Sequence, residues 1–146
     1  MKLTAFTDYS LRVLIYLAAD TTRRATIAEI ARSFDISENH LVKVVHFLGK
    51  QGWIETVRGK GGGIRLAMPP QQVNVGKVVR DSEGAAMPAV CFSADRDRCV
   101  IDGSCRLKGV LGEAVKAFYA VLDRYTLEDI ARNRQTLAKV LMIRAA

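Results

Sequence analysis

Residues 26–66 constrain this chain more than any other stretch. Thr26-Ile27-Ala28-Glu29 has the form of a capping box, in which the Thr side chain and the Glu side chain satisfy each other's backbone amides at a helix start. It predicts a short helix from Ile27 to Phe34, with Ile30, Ala31 and Phe34 on one face. Asp35-Ile36-Ser37 is a tight connection with an apolar centre. Ser37 is placed to cap a second helix, with Glu38 in its first turn, that runs to about Lys50 and buries Leu41, Val44, Val45 and Leu48. Trp53 to Arg58 then reads as a strand, Gly59-Lys60-Gly61-Gly62-Gly63 as a turn, and Ile64 to Ala67 as the returning strand. Two short helices about a three-residue turn make a helix-turn-helix, and the hairpin after them makes a wing. The expected fold is therefore mainly α with one small β-hairpin, a winged helix-turn-helix.

The flanks are helical. Residues 3–19 repeat Leu11, Leu14, Ile15 and Ala18 at helical spacing, with Thr7 as a possible cap and Asp8 in the first turn. Pro69-Pro70 ends the wing unit, and Val75 to Arg80 predicts a further helix. Ser104 is placed to cap a long helix from Cys105 to about Tyr125. Along it Leu107, Leu111, Ala114, Phe118, Val121 and Tyr125 fall at alternating intervals of four and three, a heptad seam. Val110, Val115, Ala117 and Leu122 widen the apolar surface, so the helix can pack on its own domain and on a partner chain. Thr126 to Asp129 could cap a last short helix, and the apolar end from Leu137 is expected to fold back onto the body. This gives a DNA-binding domain over 1–80, a cysteine-bearing loop over 81–104, and a dimerisation helix with a C-terminal helical segment over 105–146.

Charge supports the first of these assignments. Residues 1–80 carry twelve Lys/Arg and six Asp/Glu, whereas 81–146 carry ten and nine, so nearly all of the net +7 lies on the N-terminal half. A half facing a polyanion has that bias, although solubility alone could account for it. No apolar run approaches the ~20 residues of a membrane span, and the start lacks a signal-peptide core, so a cytoplasmic location is expected. In that compartment cysteines serve metals or redox chemistry more often than structural disulfides. An enzyme has little support: no Ser/His/Asp or Cys/His set is present, and the glycines at 59–63 lie between strands and not ahead of a helix.

In a helix-turn-helix the second helix enters the major groove and its first residues reach base edges. Here those are Ser37, Glu38, Asn39, His40 and Lys43. Asn pairs bidentately with adenine and Glu accepts from cytosine N4, whereas Lys43 suits phosphate. The wing offers Arg58, Lys60 and Arg65 around four glycines, which let backbone approach closely. His46 is read as structural.

All three cysteines, Cys91, Cys99 and Cys105, lie within fifteen polar, turn-forming residues. The spacing Cys91-x7-Cys99-x5-Cys105 lacks the close knuckle of a zinc ribbon, and an odd number leaves a thiol unpaired in any disulfide. An iron–sulfur cluster ranks first on spacing, zinc second and a redox-thiol switch third. Either common cluster takes four ligands, so a fourth must come from elsewhere.

Taken together these residues resemble the winged-helix iron–sulfur transcriptional repressors, a family that includes NsrR, IscR and RirA, and within it the nitric-oxide-sensing NsrR kind. The likeness runs through Leu3-Thr4-x-Phe6-x-Asp8-Tyr9-x-Leu11-Arg12, Ile36-Ser37-x-Asn39-His40-Leu41-Val42-Lys43, Val57-Arg58-Gly59-Lys60-x-Gly62-Gly63-Ile64-Arg65-Leu66, Cys105-Arg106-Leu107-Lys108 and Leu122-Asp123-x-Tyr125-Thr126-Leu127. The resemblance implies a homodimer on a palindromic operator, with the long helix at the dimer interface. It implies a 4Fe–4S cluster, in preference to 2Fe–2S, on Cys91, Cys99 and Cys105, with Asp8 of the partner subunit as fourth ligand and nitric oxide as the signal. Relatives with a 2Fe–2S centre use a histidine three residues after the last cysteine; here that residue is Lys108, which favours the nitric-oxide reading. The seven residues between Cys91 and Cys99 are more than the resemblance implies. A carboxylate at Asp8 also stabilises a first helical turn with no metal at all, and Arg12, four residues on, is placed to hold it by an ion pair.

Overall fold

The computed structural model describes residues 2–84, 92, 99–101 and 104–145, the last three by backbone alone. Seven α-helices, one short 3-10 helix (Pro70–Gln72) and one two-stranded antiparallel sheet account for the regular structure among them. Helix α1 (Ala5–Ala19) runs through the middle of the core, with Val13, Leu14, Tyr16, Leu17 and Ala18 buried. Its cap is Thr4, whose hydroxyl accepts from the Thr7 amide at 3.2 Å, and not Thr7, which is fully buried within the first turn. The cap sits one turn earlier because the Glu83 carboxylate accepts from the Thr4 amide at 2.8 Å and hydroxyl at 3.1 Å.

Helix α2 (Ile27–Phe34) begins with the capping box as expected: the Glu29 amide donates to the Thr26 hydroxyl, and the Thr26 amide donates to the Glu29 carboxylate at 2.6 Å. It ends at Asp35, the one non-glycine residue with positive φ (54°) among those described. That left-handed step turns the chain back within three residues. Helix α3 (Glu38–Lys50) follows and buries Leu41, Val44, Val45 and Leu48. Ser37 holds the cap position but its side chain makes no capping bond.

Strand β1 (Ile54–Val57) pairs with β2 (Gly63–Leu66) in the register Ile54↔Leu66, Glu55↔Arg65, Thr56↔Ile64 and Val57↔Gly63. Ala25 adds a bridge to Ile64, exchanging amide–carbonyl bonds of 3.0 and 2.8 Å, so the segment between α1 and α2 forms a third edge of the wing. Gly63 is obligatory there: an added Cβ would lie 2.8 Å from the Ala25 carbonyl oxygen.

Helix α4 (Val75–Glu83) is capped by Asn74, which accepts from the Lys77 amide at 2.9 Å. Helix α5 (Arg106–Leu122) has Cys105 and not Ser104 at its cap position, and no side-chain bond caps it. Helix α6 (Leu127–Ile130) carries the expected Thr126–Asp129 capping box. Helix α7 (Arg134–Ala145) packs back on α2 and α1, with Leu141 buried and the Ser33 hydroxyl donating to the Leu141 carbonyl at 2.7 Å. The body is thus α1 wrapped by α2, α3, α4, α6 and α7.

Helix α5 stands apart. None of its residues is buried, and it touches the body chiefly through α4. Arg80 forks onto Asp123 with two bonds of 2.6 Å and lies 4.4 Å from the centroid of the Tyr119 ring. Gly76 leaves the room that Asp123 occupies.

Candidate functional site

The reading positions are presented together. Ser37, Glu38, Asn39, His40 and Lys43 are all exposed at the start of α3, while Leu41, Val44 and Val45 anchor its other face in the core. His46 is exposed further along. The helix is held from behind by α1: the Phe6 ring meets the Phe47 ring edge-on with centroids 5.2 Å apart, and the Tyr9 ring faces His40 at 6.3 Å. Asp8 lies between these two aromatic residues in sequence, so the turn that bears its carboxylate rests directly on the reading helix.

The wing turn is closed by the Gly62 amide donating to the Gly59 carbonyl at 2.9 Å, with Gly61 at φ +76°, the value the third position of a type II turn requires. Arg58 and Lys60 are exposed at this tip. Arg65 is not at the tip. The register sets it opposite Glu55, and its guanidinium holds that carboxylate at 2.8–2.9 Å. Sequence reading also passed over Arg24, whose Nη1 donates to the Gly61 carbonyl at 3.1 Å. The signal was a second arginine in a polar break, a weak one, since the contact spans 37 residues.

Asp8 accepts from Arg12 at 2.9 Å, the expected i,i+4 pair, with both side chains roughly half-exposed. Arg12 also lies 5.7 Å from the centroid of the Phe34 ring. An open groove lined by Lys2, Thr4, Asp8, Tyr9, Arg12, Phe34 and Asp35 runs beside this pair, so the carboxylate faces solvent. Cys99 and Cys105 are free and half-buried, and Cys105 occupies the cap position of α5. Phe92 lies against Gly112 of the same helix. Cys91 lies outside the described residues. Among the described residues no three His, Cys, Asp or Glu side chains gather as a metal site. The two described thiols, Cys99 and Cys105, are of the type that iron–sulfur iron takes.

Two acidic groups brace the scaffold. Burial alone would raise the Glu29 carboxyl, but the Thr26 bonds and Arg23 more than offset it, leaving it below its ordinary value. The Glu83 carboxyl is likewise raised by burial and lowered further by Thr7 and Thr4. The two ties hold the starts of α2 and α1, the helices that pack against α3.

Comparison with known proteins places this arrangement. The family model described as Rrf2, iron-dependent transcriptional regulator, matches residues 3–133. The chain is 50% identical over 145 residues to the HTH-type transcriptional regulator NsrR of Bacillus subtilis, covering 99% of each chain. It is 47% identical over 142 residues to the NsrR of Geobacillus kaustophilus, covering 97% of each. Among solved structures it superposes on T. potens IscR with TM-score 0.71 at 27% identity, covering 91% of this chain and 88% of that one. Oxidised Staphylococcus aureus CymR matches with TM-score 0.70 at 26% identity over 90% and 96% of the two chains. No described helix is long and apolar enough to cross a membrane. The chain is a regulator of transcription and not an enzyme, and it belongs to the Rrf2 family.

Proposed function

We propose that this chain is a DNA-binding repressor that acts as a homodimer on a palindromic operator, and that an iron–sulfur cluster of the 4Fe–4S type makes its operator affinity responsive to nitric oxide. The observation that carries the reading is the seat of Asp8. Its helical turn packs through Phe6 and Tyr9 onto the helix that presents Asn39 and His40. A change in what holds Asp8 is therefore felt at the base-reading surface.

The proposed ligands are Cys91, Cys99 and Cys105 with Asp8 of the partner subunit. When bound, the cluster supplies iron that nitric oxide attacks. Asp8 is the labile member of this set, because carboxylate oxygen is a poorer partner than thiolate for iron of this kind. Released from the partner, Asp8 returns to Arg12, the pair described above. The turn bearing Phe6 and Tyr9 is then no longer fixed to the other subunit. Half-sites repeat at one helical turn of DNA, so a small reorientation of one α3 misplaces the second. The operator is released by a shift between two dimer geometries.

The homodimer reading rests on α5. Leu107 and Val110 are each 60% exposed, and Val121 and Tyr125 each 45%. A solvent-exposed apolar seam of this length marks a surface that another chain covers. The domain division follows: residues 1–80 bind DNA, 81–104 bind the cluster, and 105–146 dimerise and brace the body.

Asp8→Ala tests the bridging role. The variant is expected to hold its cluster less tightly and to bind operator weakly, with little further loss when nitric oxide is added. A variant with cluster content and nitric-oxide response unchanged excludes Asp8 as the bridge.

A further inference from the structure

We propose that Arg24, outside the helix-turn-helix and outside the hairpin, is a positioning residue that sets the wing tip for DNA by holding the Gly61 carbonyl. The inference rests on the DNA-binding reading above and goes beyond it. The wing tip is a four-residue turn with glycine at three of its four positions, Gly59, Gly61 and Gly62, and the only side chain within it is Lys60. Such a turn loses much backbone freedom on ordering, so it needs ties to hold one shape. Its own closing bond, Gly62 amide to Gly59 carbonyl, is one. The bond from Arg24 to Gly61 is a second, and it comes from another element.

The backbone places Arg24 there with little slack. Ala25 pairs with Ile64 on both sides, and an added Cβ on Gly63 would lie 3.0 Å from the Cβ of Arg24. The arginine thus leaves the third edge of the wing beside the turn. Arg24 itself is exposed, so its removal leaves the core intact. Among the described residues, Arg58 and Lys60 have no hydrogen-bond or ion-pair partner, and they are left free to meet phosphate. Arg65, held by Glu55, is not. Of Lys60 and Arg58, Lys60 lies within the turn and takes its aim from the shape that Arg24 fixes, whereas Arg58 precedes the turn.

The test uses the full-length protein and a fluorescent mixed-sequence duplex of about 30 base pairs, titrated over a range of salt. Arg24→Ala, Lys60→Ala, the double variant and Arg24→Lys are compared, with thermal melts of each. Arg24→Ala is expected to melt with wild type and to weaken DNA binding on the order of three- to tenfold, the factor one ordinary hydrogen bond is worth. Its salt slope and that of Lys60→Ala should each shrink by about one, and the double variant by about one and not two, because Arg24 acts through Lys60. Arg24→Lys, which keeps a donor for Gly61, restores most of the loss. A slope change of about two in the double variant makes Arg24 an independent phosphate contact and overturns the brace. Unchanged binding by Arg24→Ala, with Lys60→Ala impaired, overturns it while leaving the DNA-binding reading intact. Wild type that does not bind the duplex at low salt overturns both.

Discussion

Asn39 carries the most specific claim at the residue scale. It is exposed at the second position of α3, on a helix whose opposite face is locked in the core. An asparagine there can bond an adenine bidentately, accepting from N6 and donating to N7 on its major-groove edge. Asn39→Ala should relax preference at one base pair of the operator, at a cost of ~1–3 kcal/mol for that pair only. Competition among operators substituted one base pair at a time measures it, and equal losses on operator and random DNA would sink the base-reading role. Residue roles of this kind were legible wherever local spacing sets geometry. The Asp8–Arg12 pair follows from helical periodicity alone. Arg65 was grouped with the wing-tip cations because composition does not show register; pairing sets it opposite Glu55. Arg24 was missed because its partner is a backbone carbonyl far along the chain.

Element boundaries divide in the same manner. The Thr26–Glu29 and Thr126–Asp129 boxes could be read because each is closed within four residues. The start of α1 could not, since Thr4 is chosen as cap with help from Glu83, 79 residues away. Ser37 has the residue type of a cap but makes no capping bond, and at α5 the cap position falls to Cys105 and not to Ser104. The first box yields a pH prediction. Glu29 has a folded-state value below its ordinary 4.5. A group depressed on folding contributes stability above its unfolded value, and that contribution fades as pH falls through the folded value. Glu29→Gln should therefore cost about 1 kcal/mol near neutral pH and converge with wild type in melts carried well below pH 4.5. A constant difference down the whole acid limb would contradict the assignment. Helix α5 yields another. Val121→Glu puts a charge on the exposed seam; it should give monomers by sedimentation and weaken operator binding on the order of a hundredfold, as linked half-sites are lost. A dimer of unchanged affinity would move the interface elsewhere.

The whole molecule is a closed body with one uncovered helix. Five helices pack around α1, while α5 is joined to them by Arg80, Asp123 and Tyr119 near its C-terminal end. The heptad seam of α5 and the apolar end of the chain were both visible in sequence, and the apolar end was expected to fold back onto the body. Helix α7 is covered by α2 and α1, and α5 is not. Cys105 at the start of α5 and Asp8 at the start of α1 are thus carried by the exposed helix and the central one. In the proposed dimer a cluster ties these two helices together across subunits. The most direct measurement is iron and acid-labile sulfide per chain in protein purified without oxygen, followed by operator binding as nitric oxide is added. The account predicts about four irons and four sulfides per chain, a visible spectrum that bleaches with nitric oxide, and operator release in step with the bleaching. Zinc, or no metal, in protein never exposed to oxygen would contradict it. That result would make the cysteines a zinc site or a redox switch, with Asp8 only a first-turn carboxylate.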